Sequence, residues 1–289
     1  MHLIARCMAV TIPLLLSAGP LLPPEPPEVR WTPDPPRQGT LIRVVVRPRG
    51  ADSTLRVAGA LAGESLHFEP DGRGAFISLA GVPLVVGDTI PLHVAVNDVE
   101  FETPLPVAGR VVSREELRIA ARFARPPDSA LAARLERERL RVRDVVARSH
   151  ATPRIWSPPF VRPRPGRVRS GFGIEREYNG VLESRHWGTD FAGRRGAPVR
   201  VTNRGIVVMV DTLFYSGRTI YVDHGAGLLT GYLHLDRALV SEGDTVQRGQ
   251  LIGRVGASGR VTGAHLHWLA RYGAILVDPL DLLTLDWTP

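Results

Sequence analysis

At 289 residues the chain has room for about two domains once any targeting segment is set aside, and 44% hydrophobic with 22% charged residues excludes wholesale disorder. Its net charge of +7 is carried wholly by arginine, since no lysine occurs. That balance favours anionic polymers such as cell-envelope glycans, while the lack of an interleaved aromatic and basic motif argues against a nucleic-acid partner.

Residues 1–19 read as a secretory signal peptide: His2 and Arg6 open it, Met8 to Leu16 is apolar, and Ser17, Ala18 and Gly19 are small enough for a signal peptidase. The apolar run is too short for a bilayer, so no stable membrane span is expected. The mature chain is expected as a monomer, secreted to the periplasm or cell envelope. Cys7, the single cysteine, lies in this segment behind Arg6, which does not fit a lipid-attachment box. Its removal would leave no thiol and exclude disulfides and cysteine-based metal or nucleophile chemistry.

Residues 20–36, with Pro23-Pro24-Glu25-Pro26-Pro27 at their centre, read as an extended proline-rich spacer. Residues 37–110 hold short alternating runs, Leu41 to Val46, Leu55 to Leu61, Ala75 to Leu79, Ile90 to Val96 and Val99 to Phe101, separated by polar turns. That spacing predicts an immunoglobulin-like β-sandwich. His67 and His93 lie singly in these runs and read as structural. Across 111–166 the period becomes helical: Ser113-Arg114-Glu115-Glu116 reads as an N-cap with an acidic first turn, and Leu131, Leu135, Leu140 and Val145 recur through a stretch dense in Arg and Glu. A second proline-rich run, Pro153 to Pro165, ends this helical linker, in which His150 reads as solvated. From 167 to 289 glycine-punctuated strands dominate without an amphipathic helix. The expected fold is mainly β, a sandwich and an all-β C-terminal domain joined by a helical linker.

The chemistry concentrates in the last domain. His186-Trp187-Gly188-Thr189-Asp190 places an imidazole and a carboxylate four residues apart, on one face if the segment is extended. His265-Leu266-His267 offers two more imidazoles at i and i+2, and His234 sits between the two runs in Tyr232-Leu233-His234-Leu235. If His186, Asp190 and one histidine of the pair bind a divalent ion, two nitrogens and one oxygen leave a tetrahedral Zn2+ with an open position, the arrangement of a catalytic site. Zinc-bound water would supply hydroxide near neutral pH. The remaining histidine and His234 would serve as proton shuttle and oxyanion stabiliser.

Taken in order, Ser170-Gly171-Phe172-Gly173, His186-Trp187-Gly188-Thr189-Asp190-Phe191, Gly196-Ala197-Pro198-Val199, Tyr232-Leu233-His234-Leu235 and Gly263-Ala264-His265-Leu266-His267 resemble the lysostaphin-type zinc metallopeptidases, the M23 peptidase family. The resemblance runs from about Arg167 to Leu283. It implies that His186, Asp190 and His267 are the metal ligands and His265 and His234 the catalytic histidines of a zinc endopeptidase, with peptide cross-links of peptidoglycan as substrate. Tyr178 lies where some members carry a tyrosine near the oxyanion, and His224 matches a family histidine that is not a ligand and reads as a turn residue. Trp187 and Trp268 either wall the groove or belong to the core.

Two other classes compete. One is a non-enzymatic envelope factor that binds or activates another wall hydrolase; such relatives generally lack ligands, and none is missing here. The other is a biotinyl or lipoyl carrier, resembled by Glu242 to Gln250, which fails for want of a lysine. Latency is a further expectation, with Asn179 or the linker from Ser113 to Pro165 covering the metal.

Overall fold

The computed structural model describes residues 25–49, 55–180 and 182–284. The expected signal peptide, Cys7 and the first residues of the spacer lie outside them. Among the described residues no helix is long and apolar enough to cross a membrane.

The N-terminal unit is built from β1 (Glu28–Thr32), β2 (Leu41–Arg47), β3 (Val57–Leu61), β4 (Glu64–Ser65), β5 (Glu69–Pro70), β6 (Phe76–Gly81), β7 (Thr89–Val96) and β8 (Val99–Pro106). These form two antiparallel four-stranded sheets, β1-β2-β6-β5 and β4-β3-β7-β8. Lettered A, B, C, C′, D, E, F and G in chain order, they read A-B-E-D and C′-C-F-G, the two-sheet division of an immunoglobulin-like sandwich. Alternation drives the packing: Ile90, Leu92 and Val94 of β7 are buried while Thr89, Pro91 and His93 are exposed. The strand β1 lies inside the stretch expected as spacer. Its Val29 and Trp31 alternate with polar neighbours, a two-residue period that the flanking prolines mask, and it pairs with β2 from Glu28 opposite Arg47 to Thr32 opposite Arg43.

The connector departs from expectation at its start. Arg114–Leu117 is a strand, β9, and not a first helical turn. Helix follows only in α1 (Ala121–Ala124) and α2 (Ser129–Arg148), where Asp128 caps α2 by accepting from Leu131 N at 2.8 Å. Acidic residues in Ser-Arg-Glu-Glu fit a helical first turn, but here Glu115 answers Arg176 across a sheet, which local propensity does not register. The Arg and Glu of α2 pair along the surface as expected, Arg134 with Glu138 at 2.7 Å and Arg139 with Glu136 at 2.6 Å. Val145 packs on Met209, Tyr221 and Leu229 of the next domain. The proline-rich run after it is fastened too, with Trp156 and Phe160 buried and Ile155 N donating to His224 O at 3.0 Å.

The C-terminal domain comprises β10 (Val168–Ser170), β11 (Glu175–Tyr178), β12 (Leu182–Arg185), β13 (Thr189–Ala192), β14 (Pro198–Arg200), β15 (Gly205–Leu213), β16 (Gly217–Gly225), β17 (Leu228–Ala238), β18 (Thr245–Val246), β19 (Leu251–Val255), β20 (His265–Tyr272) and β21 (Ile275–Val277), then α3 (Asp281–Thr284). A ten-stranded sheet runs β10-β13-β20-β17-β16-β15-β18, with β14 and β21 attached through β19 and β20. The hairpin β11-β12 stands apart and takes β9 of the connector as its third strand.

Sandwich and C-terminal domain share one core that runs from Ile42 and Leu92 to Trp268 and Tyr272. Leu41 N donates to Asp281 Oδ2 at 2.9 Å, Arg110 Nη1 pairs with Asp278 Oδ2 at 3.0 Å, and Tyr272 donates its hydroxyl to Ser65 O at 2.8 Å. His150, expected as solvated, lies in this interface. Its ring stacks on His67, with Nδ1 2.8 Å from His67 Nε2, and its Nε2 is 2.8 Å from Glu64 Oε2. His67, read as isolated, thus has a partner 83 residues away.

Candidate metal centre

Three side chains converge between β13 and β20. The register of that pair sets Asp190 directly opposite His267, and Asp190 Oδ1 lies 2.9 Å from His267 Nδ1. His186 Nε2 is 3.0 Å from each of those atoms. All three residues are buried. The expectation that His186 and Asp190 share one extended strand is corrected: His186 lies in the bend after β12, and only Asp190 is on β13. Gly188 permits the bend, because a Cβ there would stand 2.5 Å from both His267 Nε2 and Trp268 O. His265 and His267 do project to one face of β20, as their i, i+2 spacing predicts.

The tautomers follow from backbone carbonyls, which only accept. His186 Nδ1 donates to Gly171 O at 2.6 Å, so its Nε2 turns a lone pair toward Asp190 and His267. His234 Nδ1 donates to Ser258 O at 2.8 Å and His265 Nδ1 to Gly263 O at 2.8 Å, leaving both Nε2 atoms for the site. His265 Nε2 lies 3.5 Å from Asp190 Oδ1, and the ring centroids of His234 and His265 are 5.0 Å apart. His234 reaches this position through a backbone φ of 60° at an irregular step in the β16-β17 register, a left-handed conformation uncommon outside glycine that aims the ring into the groove.

Burial acts against charge on His267, His234 and Asp190. It pushes His267 down to about 4 and, with the neighbouring His265 and His267, holds His234 well below the ordinary imidazole range. Burial also opposes ionisation of Asp190, yet the imidazoles of His186 and His267 beside it hold it well below the usual carboxylate range. Asp190 is thus held as a carboxylate and His267 as a neutral imidazole, the protonation states that a metal requires of these groups. A tetrahedral ion with bonds of about 2.0–2.1 Å spaces its ligand atoms about 3.4 Å apart, and the triangle of 2.9 to 3.0 Å edges needs only a small expansion to admit one.

Arg176, on β11, was not singled out by the sequence. Its Nη2 donates to Asp190 Oδ2 at 2.7 Å and to Ser170 Oγ at 2.8 Å, and its Nε donates to Glu115 Oε2 at 3.2 Å. It orients Asp190 so that Oδ1 stays with the two histidines. The groove is walled by Tyr178, Trp187 and Tyr215, with the guanidinium of Arg260 4.3 Å from the Tyr178 ring and 4.6 Å from that of Tyr215. Leu117 and Ile119 of the connector line it beside His234 and His265. Trp268 belongs to the core. His224 is buried on β16, bonded to Arg204 O and Thr230 Oγ1, and structural. Asn179 does not reach the metal centre; it clamps Ile119 with two backbone bonds of 2.9 and 3.0 Å.

Residues 184–279 match peptidase family M23, and the C-terminal domain is an M23 peptidase domain in which His186, Asp190 and His267 form a group that could hold a metal ion. It is similar to the peptidoglycan DD-endopeptidases ShyB and ShyA of Vibrio cholerae. The first is 43% identical over 123 residues, 41% of this chain and 28% of that protein, and the second 48% over 83 residues, 29% and 19%. The match thus spans under a third of either relative. A crystal structure assigned to peptidase M23 of Pseudomonas aeruginosa covers 86% of this chain and 95% of its own at a TM-score of 0.68 and 25% identity. The shared arrangement therefore extends beyond the peptidase domain.

Proposed function

We propose that the chain is a secreted metalloendopeptidase of the cell envelope that hydrolyses the D,D peptide cross-links of peptidoglycan and uses zinc. The observation that carries this reading is the convergence of His186 Nε2, Asp190 Oδ1 and His267 Nδ1 beside two further histidines whose Nε2 atoms are free for chemistry. Two nitrogens and one carboxylate oxygen are a catalytic zinc donor set. The similarity to DD-endopeptidases supports the substrate class, and the apolar run Met8 to Leu16 supports export.

Zinc, when bound, supplies Lewis acidity toward the scissile carbonyl and makes a nucleophile available from water near neutral pH. The chain's own residues do the rest. His234, neutral because burial disfavours its charged form, accepts a proton at Nε2 while the Ser258 carbonyl fixes its ring. His265, held at Nδ1 by Gly263 O, takes up a proton from water at Nε2, and the resulting N–H bonds the developing oxyanion and passes to the leaving amine. Arg176 keeps Asp190 aligned, and Trp187 and Tyr215 bound the substrate groove.

The test is digestion of purified peptidoglycan by the zinc-loaded chain, followed by mass spectrometry of the muropeptides. Cross-linked dimers should fall and monomers rise in proportion. Unchanged dimers in the presence of one bound zinc per chain would reject the enzymatic reading in favour of a binding role.

A further inference from the structure

The strand β9 has little reason of its own to exist. Its Arg114-Glu115-Glu116-Leu117 has no fully buried side chain, Leu117 alone packing half-buried against Ile119, Phe123 and Tyr178, and it adds parallel to β11 in the register Arg114 opposite Glu175 to Leu117 opposite Tyr178. Charges and one clamp hold it: Arg114 pairs with Glu177, Glu115 with Arg176, and Asn179 grips Ile119 just beyond. This is how an extended peptide adds to a sheet edge, at the rim of the groove that holds Asp190, His234 and His265.

The position of Glu115 is specific. Its Oε2 accepts from Ser170 Oγ at 3.0 Å and from Arg176 Nε at 3.2 Å. Ser170 is buried, Arg176 is nearly so, and both are fixed from behind, Arg176 by the metal-ligand carboxylate of Asp190. One guanidinium thus stands between two carboxylates, Asp190 of the candidate metal centre and Glu115 of the added strand. Two preset donors beside a cation make a carboxylate cradle.

We propose that Ser170 and Arg176 form a substrate subsite for a carboxylate close to the scissile amide, and that Glu115 occupies it in place of substrate. A peptide substrate adds along β11 as β9 does, and its acidic group replaces that of Glu115 on Arg176. This rests on the peptidase reading above and deepens it: the preferred substrate is an extended peptide carrying a free carboxylate, and its uncharged counterpart is discriminated against.

The experiment measures binding alone, on the metal-free full chain, by calorimetry in chelator. The probes are an end-blocked alanine pentapeptide with glutamate at its centre and the same peptide with glutamine. The native chain should bind both weakly. In Glu115→Gln the glutamate peptide should bind about tenfold more tightly than the glutamine peptide, the worth of one charge-assisted hydrogen bond. Ser170→Ala added to that variant should cut the preference severalfold. Glu115→Asp, which keeps the charge but shortens the reach, should fall between native and Glu115→Gln, and Glu136→Gln on α2 should behave as native. Equal binding of the two peptides by Glu115→Gln, or no gain over the native chain, overturns the subsite. Because nothing is hydrolysed, a preference seen alongside inert zinc-loaded protein would leave the subsite standing and reject the peptidase reading. Cleavage without preference would do the reverse.

Discussion

Asp190 and His267 face one another in register across β13 and β20, with Oδ1 and Nδ1 2.9 Å apart. Strand pairing alone therefore brings together two of the three candidate ligand atoms. Asp190→Ala should lower zinc affinity at least about hundredfold, beyond the effect of losing an outer-shell partner, and reduce cleavage to background. It should also cost about 1–3 kcal/mol of stability by removing one of the two carboxylates that flank the largely buried Arg176 and leaving Glu115 as its remaining counter-charge. Metal analysis and thermal melts check both parts.

His234→Ala should separate metal from rate. His234 is held by Ser258 O and is not among the three converging ligands. The variant should keep one zinc per chain and lose about 10²–10⁴ in rate, the usual share of a general acid–base group. Loss of the metal in this variant would show that His234 is a ligand.

Gly188→Ala tests the bend. The added methyl meets backbone at Trp268 O and the ring of His267, neither of which can retreat without moving a strand that carries a ligand. Stability should fall by about 1–3 kcal/mol and zinc affinity by about ten- to hundredfold, read by calorimetric titration of the metal.

Asp281 gives the domain contact a pH dependence. Burial, reinforced by Asp278, raises its carboxyl to about 7, against about 3.9 for an unfolded aspartate. The folded chain therefore holds a proton that the unfolded chain has released. Its contribution to stability is fully present below about pH 4 and is lost as pH rises through about 7. Melting temperature should drop by several degrees more between pH 5 and pH 8 in the native chain than in Asp281→Asn, whose amide oxygen can still accept from Leu41 N. Parallel slopes would exclude the assignment.

Much of this molecule was legible in its sequence because alternation and burial go together. The runs at Leu41, Ala75 and Ile90 became strands within a few residues of their expected ends, and all five expected site residues lie around one groove. What escaped were features whose partners lie far along the chain. Nothing local in Arg114 to Leu117 announces a strand, since its reason is β11, some 60 residues away. Nothing marks Arg176 among 36 arginines until Asp190 is beside it. His150 and His67 each look unremarkable alone. The bend at His186 was hidden for another reason: a four-residue spacing fits a strand and a loop equally well, and only the close approach at Gly188 decides between them.

The membership of β9 in the β11 sheet also bears on how such a domain could be inherited. A gene fusion that carried off residues 167–289 alone would strip β11 of its neighbour and leave a row of open amides and carbonyls at the mouth of the groove, an invitation to stick to other chains. It would also forfeit the bonds from Ile155 N to His224 O and from Val161 N to Thr202 O. The portable module is thus longer than its chemistry, and the charged connector travels with the histidines as part of the same heritable block.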